Sequence, residues 1–243
     1  MARIAYHDAD AEAFAATRHL TDDGLTAWRA SVTRHLDPRP GMRVLDLGAG
    51  TGSWAHAFTT WFPGVEVVAV EPSAAMRTRC AFAPVVAGDA GHIPLASDSV
   101  NGAWLSTVIH HVPDLATAAR ELRRVLRPGA PVLIRSAFAG RHEAITLFDY
   151  FPEAVRVLDT YPGITDVEAA FAAAGFATAV VEQVPQVTAP SLREAAAGLR
   201  REAHTPLQLI TDAEYAAGVR RLREAAQADT GPVIDALDLL VLR

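Results

Sequence analysis

The segment Val44-Leu45-Asp46-Leu47-Gly48-Ala49-Gly50-Thr51-Gly52 joins a short apolar run to a turn that is rich in glycine. Glycine lets the chain turn sharply and lets a ligand approach bare backbone. The three glycines have the spacing G-x-G-x-G. The dinucleotide fingerprint G-x-G-x-x-G would need its third glycine at position 53, where this chain has Ser53. The segment therefore predicts a strand, a ligand-binding turn and the start of a helix, and it argues against a nicotinamide dehydrogenase.

Short apolar runs alternate with helical patterns around and beyond this turn. The predicted strands are 43–47, 65–70, 84–87, 100–106 and 131–134, and the predicted helices are 53–61, 73–80 and 114–126. Asp114 is a suitable N-cap for the last of these helices. Strands that alternate with helices indicate βαβ units, and hence a mostly parallel sheet covered by helices on both faces.

The flanking regions have a more helical character. Residues 9–36 form an amphipathic helical pattern that ends at Asp37-Pro-Arg-Pro-Gly41. Beyond residue 135, three S/T-x-x-E capping boxes, at Thr165, Ser191 and Thr211, predict helix starts.

Two further strands are expected late in the chain, at 176–184 and 237–242, with a helical insertion over about 187–230. The expected fold class is α/β, a Rossmann-like seven-stranded mostly parallel sheet with an N-terminal helical lid and helical cap insertions. The expected division is a lid over 1–40, a core over 41–137, and an acceptor-side cap over 138–243 that includes the last two strands.

Composition excludes several kinds of chemistry. The 22 basic residues are all Arg, so no lysine can form a Schiff base, contact a phosphate or act as a general base. The single Cys80 excludes an internal disulfide framework and multi-cysteine metal sites. A net charge of −6 argues against a nucleic-acid surface. We find neither an apolar run long enough to span a membrane nor a secretory pattern in residues 1–10, so a cytoplasmic protein is expected.

Over residues 41–137 the chain resembles class I S-adenosylmethionine (SAM)-dependent methyltransferases, in particular their UbiE-like, small-molecule branch. The resemblance rests on the G-x-G-x-G turn, on Glu71 at 19 residues past Gly52, and on Asp89 after the third strand. It extends through His110-His111-Val-Pro-Asp114 and Leu122-Arg-Arg-Val-Leu-Arg-Pro-Gly129. Asn101 departs from the family pattern, which has an acidic residue where the chain enters the fourth strand.

The resemblance implies SAM as the cofactor and assigns residues to it. Glu71 would bind the ribose hydroxyls, Asp89 the adenine amino group, and Arg18 the methionine carboxylate. The full set of cofactor residues that it implies is Asp46, Gly48, Ala49, Gly50, Gly52, Glu71, Pro72, Asp89, Ala90, Ser106 and Arg18.

The sequence patterns that suggest catalytic and acceptor-binding residues are less specific than those of the cofactor site. His110 and His111 follow the fourth strand, where a general base would stand near the acceptor, and in an extended chain at most one of them would face it. Tyr6, His142 and Tyr150 are the expected substrate-binding residues. No metal site is expected, because His142-Glu143 begins a zincin motif but position 146 is threonine.

The expected function is methyl transfer to oxygen, nitrogen or carbon of a small-molecule acceptor, by a monomer or homodimer. Arg-only basic residues and an Ala-rich chain are typical of high-GC bacterial coding, and suggest specialised metabolism. Two alternatives remain open: a SAM-fold enzyme that catalyses cyclisation or rearrangement, and a SAM-binding regulatory module.

Overall fold

A computed structural model describes residues 22–228 and 231–243, and its centre is one seven-stranded sheet with the order β3-β2-β1-β4-β5-β7-β6. The strands are β1 (Arg43–Leu47), β2 (Glu66–Glu71), β3 (Val85–Ala87), β4 (Gly102–Ser106), β5 (Val132–Ser136), β6 (Thr178–Ala189) and β7 (Val233–Leu242). The first five are parallel, and β7 is antiparallel to both β5 and β6. The expected seven-stranded, mostly parallel α/β fold is confirmed.

Ten α-helices surround the sheet in the described part of the chain. They are α1 (Asp22–Leu36), α2 (Ser53–Trp61), α3 (Ala74–Thr78), α4 (Leu115–Val125), α5 (Thr146–Tyr150), α6 (Val155–Leu158), α7 (Ile164–Ala172), α8 (Leu192–Gly198), α9 (Thr205–Gln208) and α10 (Asp212–Ala225). Short 3-10 turns lie at Ile109–His111, Pro152–Ala154 and Arg201–Ala203. Residues 9–21 of the predicted first helix lie outside the described residues.

Helix starts follow the sequence signals with one exception. Asp114 accepts a hydrogen bond from the Thr117 amide at 3.0 Å, and Thr211 and Ser191 cap α10 and α8. The capping box predicted at Thr165 is wrong. Helix α7 begins two residues earlier than that box would place it, because Gly163 is its N-cap and the Asp166 carboxylate accepts from the Gly163 amide at 2.8 Å.

The last two strands are longer than predicted. Strand β6 runs to Ala189 and β7 begins at Val233, because the two strands form an antiparallel ladder along almost their whole length. The cross-strand partners come from distant parts of the sequence, so local alternation could not reveal where the strands end. The helical insertion between them is accordingly confined to α8–α10.

Apolar residues form one cluster on each face of the sheet and a third within the cap. Helix α1 packs on one face through Trp28 and Val32, while α4 packs on the other through Leu122 and Val125. The third cluster includes Phe148, Phe151 and Leu222.

A buried ion pair ties the loop that follows β5 to strand β7. Nε and one Nη of Arg141 donate to the two carboxylate oxygens of Asp238, each at 2.7 Å, and the Asp238 side chain is 3% exposed. In the described part of the chain, no helix is both long and apolar enough to cross a membrane.

Candidate functional site

The glycine turn lies at the carboxyl edge of the parallel strands. Gly48, Gly50 and Gly52 have φ values of 76°, 58° and 83°, a left-handed region that side chains disfavour. A Cβ at Gly52 would lie 2.7 Å from the Cys80 sulfur, and one at Gly48 would overlap the Val108 side chain. Both the conformation and the space available therefore require glycine at these two positions.

Glu71 links this turn to the end of β2. One carboxylate oxygen accepts from the Gly50 amide at 2.8 Å, and the other accepts from the Ser73 amide at 2.8 Å. The residue is 6% exposed, and burial raises the pKa of its carboxyl. The carboxylate thus holds the glycine turn in place, while its oxygens keep lone pairs for a further donor.

Asp46 is a second buried carboxyl in the same region. Burial, followed by the charge of Glu71, raises its pKa to about 7. A hydrogen bond from the Ala55 amide, in the first turn of α2, lowers the pKa of Asp46 in part. The second carboxylate oxygen of Asp46, Oδ2, has no hydrogen-bond partner among the described residues. The Asp46 carboxyl therefore connects β1 to the helix that follows the glycine turn.

The remaining residues assigned to the cofactor stand along the same edge. Asp89 is exposed, and its carboxylate closes the turn after β3 by accepting from the amides of Gly91 at 2.8 Å and His92 at 3.0 Å. Ala90 is half-buried beside it, and Ser106 ends β4. Because β1 to β4 are parallel, their carboxyl ends meet at one edge.

The remaining positions are less informative. Ala49 is buried within the turn and Pro72 is exposed just after β2. Arg18 and Tyr6 lie outside the described residues.

A cavity of about 600 Å³ opens between the carboxyl ends of β4 and β5 and the helical cap. Its wall is mainly apolar, from residues such as Phe148, Leu158 and Leu222. Tyr150 and His110 line it, as the sequence suggested for an acceptor site. His142 is not in the lining; its ring packs edge-on against Phe148, with centroids 6.0 Å apart.

His110 and His111 do not belong to an extended segment, and that part of the prediction is wrong. They lie in a 3-10 turn, which brings the two rings side by side with centroids 4.1 Å apart. His110 faces the cavity and stacks parallel on Tyr161 at 4.1 Å, whereas His111 is not in the lining. The 3-10 turn changes the relative position of the two rings, but the arrangement is consistent with the expectation that at most one of the two histidines would face the acceptor.

Several polar residues of the cavity were not predicted, and two of them contact each other. Arg135 is the penultimate residue of β5 and Gln186 lies in β6, and the two side chains are joined by a 2.9 Å hydrogen bond. The sequence did contain one signal: Arg135 is a lone charge that directly follows the run Pro131–Ile134. Gln186 has no such signal, because it becomes part of the cavity only through pairing of β6 with β7.

Comparison with known proteins supports the resemblance seen in the sequence. Residues 45–134 match a family model described as a methyltransferase domain. A demethylmenaquinone methyltransferase of Corynebacterium kroppenstedtii is 34% identical over 111 residues, which are 45% of this chain and 48% of that protein. The chain thus spans about half the length of this curated relative.

Solved structures share the fold at lower identity. A protein assigned as a methyltransferase of an antibiotic biosynthesis pathway in Anabaena variabilis superposes with a TM-score of 0.69 and 20% identity, over 89% of this chain and 96% of that one. The [4+2]-cyclase SpnF superposes with a TM-score of 0.62 and 18% identity, over 93% and 83% of the two chains. These similarities concern the fold alone.

Proposed function

Residues 45–134 match a methyltransferase-domain family model, and from that premise we propose that the chain is a class I, UbiE-like methyltransferase that transfers a methyl group from SAM to a small molecule bound in the cavity. One observation carries the proposal. The glycine turn, with Gly50 held by Glu71, opens at the same sheet edge as the cavity of about 600 Å³. A cofactor on β1 and β2 and an acceptor on β4 and β5 would then be neighbours across the point where the strand order reverses.

The residues present fit this cofactor. The turn cannot carry side chains at Gly48 or Gly52, which leaves bare backbone for a ligand to approach. In our proposal Glu71 accepts from the ribose hydroxyls, Asp89 accepts from the adenine amino group, and Ser106 completes the cleft. Asp46 supports the turn from beneath, and Ala49, Pro72 and Ala90 form its walls.

SAM, when bound, supplies an electrophilic methyl group on a sulfonium, so the protein has mainly to align the acceptor and exclude water. The acceptor atom forms the new bond to the methyl carbon as the bond to sulfur breaks. An acceptor that must lose a proton needs a base, and we assign that role to His110 because its ring faces the cavity. The flat stacking on Tyr161 would hold the imidazole in one orientation.

The test is methyl transfer itself. The purified protein is incubated with methyl-labelled SAM and a panel of apolar phenols, quinols and carboxylic acids, and both S-adenosylhomocysteine and labelled product are measured. The proposal predicts stoichiometric formation of both. Cofactor binding without any turnover across the panel would instead favour the cyclisation or regulatory alternative.

A second test measures SAM binding by variants of the proposed cofactor residues. Glu71→Ala and Asp89→Ala should each weaken SAM binding at least about tenfold, roughly 1.4 kcal/mol, by calorimetry. Glu66→Ala is a matched control, because Glu66 lies at the opposite end of β2 and contacts Arg43. Unchanged affinity in both Glu71→Ala and Asp89→Ala would contradict the proposed cofactor site.

Other features of the function remain predictions from the sequence. The acceptor atom, the role in specialised metabolism and the cytoplasmic location belong to the proposal, as do the monomeric or homodimeric state and the absence of a nucleic-acid partner. The division into lid, core and cap likewise remains a proposal.

A further inference from the structure

We propose that Arg135 and Gln186 form an oxyanion-binding subsite in the wall of the cavity, which selects acceptors that join an apolar body to a carboxylate or similar anionic oxygen. The inference rests on the proposed function only in taking the cavity as the acceptor's site. It deepens that function by naming the chemical class of the acceptor.

Arg135 places a fixed positive charge in this cavity. It is the penultimate residue of β5 and only 5% exposed, and its guanidinium lies 4.8 Å from the centroid of the Trp28 ring and 5.2 Å from that of Trp54. One Nη donates to the Ser106 hydroxyl at 3.2 Å. Two indole rings and a hydroxyl therefore hold the group in one orientation while it lines the cavity.

Gln186 is oriented by two donors on its oxygen. Its Oε1 accepts from the Trp28 indole N–H at 3.0 Å and from the second Nη of Arg135 at 2.9 Å. Both donors require an acceptor, so the amide orientation is determined by its surroundings. The Nε2 group lies on the other side of the amide, and no described residue accepts from it. The part of Gln186 left for a ligand is thus a hydrogen-bond donor.

The surroundings strengthen the selection for an anion. On β7, Leu237 lies midway between Leu239, which pairs with Arg135, and Asp235, which pairs with Gln186. Leu237 also lines the cavity. Apolar neighbours of this kind reduce screening and strengthen a charge–charge contact. Asp235, the cross-strand partner of Gln186, also lines the cavity, and its carboxylate accepts hydrogen bonds from the Thr146 amide at 2.8 Å and the Thr188 hydroxyl at 3.1 Å, so two donors offset its charge.

These observations define one ligand class. The guanidinium and the amide N–H₂ lie at one wall and are both donors, so an acceptor that carries an anionic oxygen suits this wall. The mainly apolar remainder of the cavity suits a hydrocarbon or aromatic body. A neutral acceptor of the same shape would leave the guanidinium without that interaction and would bind more weakly.

The experiment compares two fluorescent probes of nearly equal shape, anilinonaphthalene sulfonate and neutral phenylnaphthylamine, titrated against the whole chain. Decanoate should displace the bound sulfonate probe, and decanol should displace it much less. In Gln186→Glu the new carboxylate keeps the acceptor for Trp28 and Arg135, pairs with the guanidinium and removes the amide donor. We expect sulfonate affinity to fall at least about tenfold, while phenylnaphthylamine affinity stays within about twofold.

Two further variants make the result specific. Arg135→Met removes the charge but keeps an apolar stem against the indoles, and should give the same selective loss even if Gln186→Glu folds poorly. Gln227→Glu is the matched control, since it makes the same charge change at an exposed residue outside this cavity and should alter neither probe.

Other outcomes overturn the inference. Equal loss of both probes, or no loss of the sulfonate, would remove the subsite. A selective loss of S-adenosylhomocysteine affinity would instead place the guanidinium on the cofactor, and would leave the proposed function standing. Absence of methyl transfer with the probe preference intact would reject the proposed function but not the subsite.

Discussion

Two carboxyls beside the glycine turn have pKa values that burial changes. Asp46 and Glu71 are both buried, and each carboxyl has a raised pKa because its charged form loses hydration. They also repel one another, which adds to the shift at Asp46. Backbone amides from Gly50 and Ser73 partly compensate at Glu71. The turn is therefore held by acidic groups whose ionisation costs folding free energy.

The raised pKa of Asp46 leads to a pH-dependent prediction. Its folded-state pKa of about 7 exceeds the ordinary value of 3.8, so the folded protein binds more protons than the unfolded chain between these values. The contribution of this group to the free energy of unfolding is then greatest at low pH and falls as pH rises from about 4 to about 7. Asp46→Asn removes that fall and keeps an acceptor for the Ala55 amide.

We expect the stability of Asp46→Asn relative to wild type to rise across this window, by an amount on the order of 2–4 kcal/mol, and to be level above it. Urea unfolding of both proteins from pH 4 to pH 8 measures the difference. Asp149→Asn, at an exposed position, is the control and should show no such trend. A difference that is constant with pH would contradict the raised pKa.

At the level of elements, helix α10 packs on the cap through a residue that has no side chain. A Cβ at Gly218 would overlap the ring of Phe151, a residue that is fully buried. Phe151 lies in the same apolar cluster as Leu222, on the following turn of α10. The close approach of this helix to Phe151 therefore depends on Gly218.

Replacement of Gly218 by alanine tests this packing. Gly→Ala within a helix ordinarily stabilises by about 1 kcal/mol, whereas an extra methyl in a filled core costs about 1–3 kcal/mol. We expect Gly218→Ala to lower the free energy of unfolding by about 1–2 kcal/mol, measured with urea. Gly198→Ala in α8 is the matched control, because a Cβ there meets nothing within 4 Å and no loss is expected. Equal effects of the two substitutions would refute the argument.

At the scale of the whole molecule, the cavity exists because two distant parts of the chain meet. Strands β6 and β7 carry Gln186 and Leu237 to the same wall as Arg135, and the loop after β5 supplies Ala137 and Ile145. The Arg141–Asp238 pair fixes that loop to β7. The shape of the cavity should therefore depend on an ion pair that does not line it.

Asp238→Asn tests this connection. Breaking a buried pair costs up to about 3–5 kcal/mol, and we expect about 2 kcal/mol here because Arg141 remains 39% exposed and keeps part of its hydration. Binding of phenylnaphthylamine should weaken as well, since the loop is released. Urea unfolding and fluorescence titration measure the two effects. Loss of stability with unchanged probe binding would separate the ion pair from the cavity.

The sequence by itself determined the parallel core and the glycine turn. Short apolar runs between helical patterns, glycine spacing and the position of Glu71 are local signals, and the carboxyl ends of parallel strands must share an edge. Only the tertiary structure decided which polar groups line the cavity, and how His110 and His111 stand relative to one another. Arg135 and Gln186 lie 51 positions apart, and their contact arises because β7 pairs with both β5 and β6. Pairing over such separations depends on the packing of the whole sheet, and no local pattern of residues encodes it.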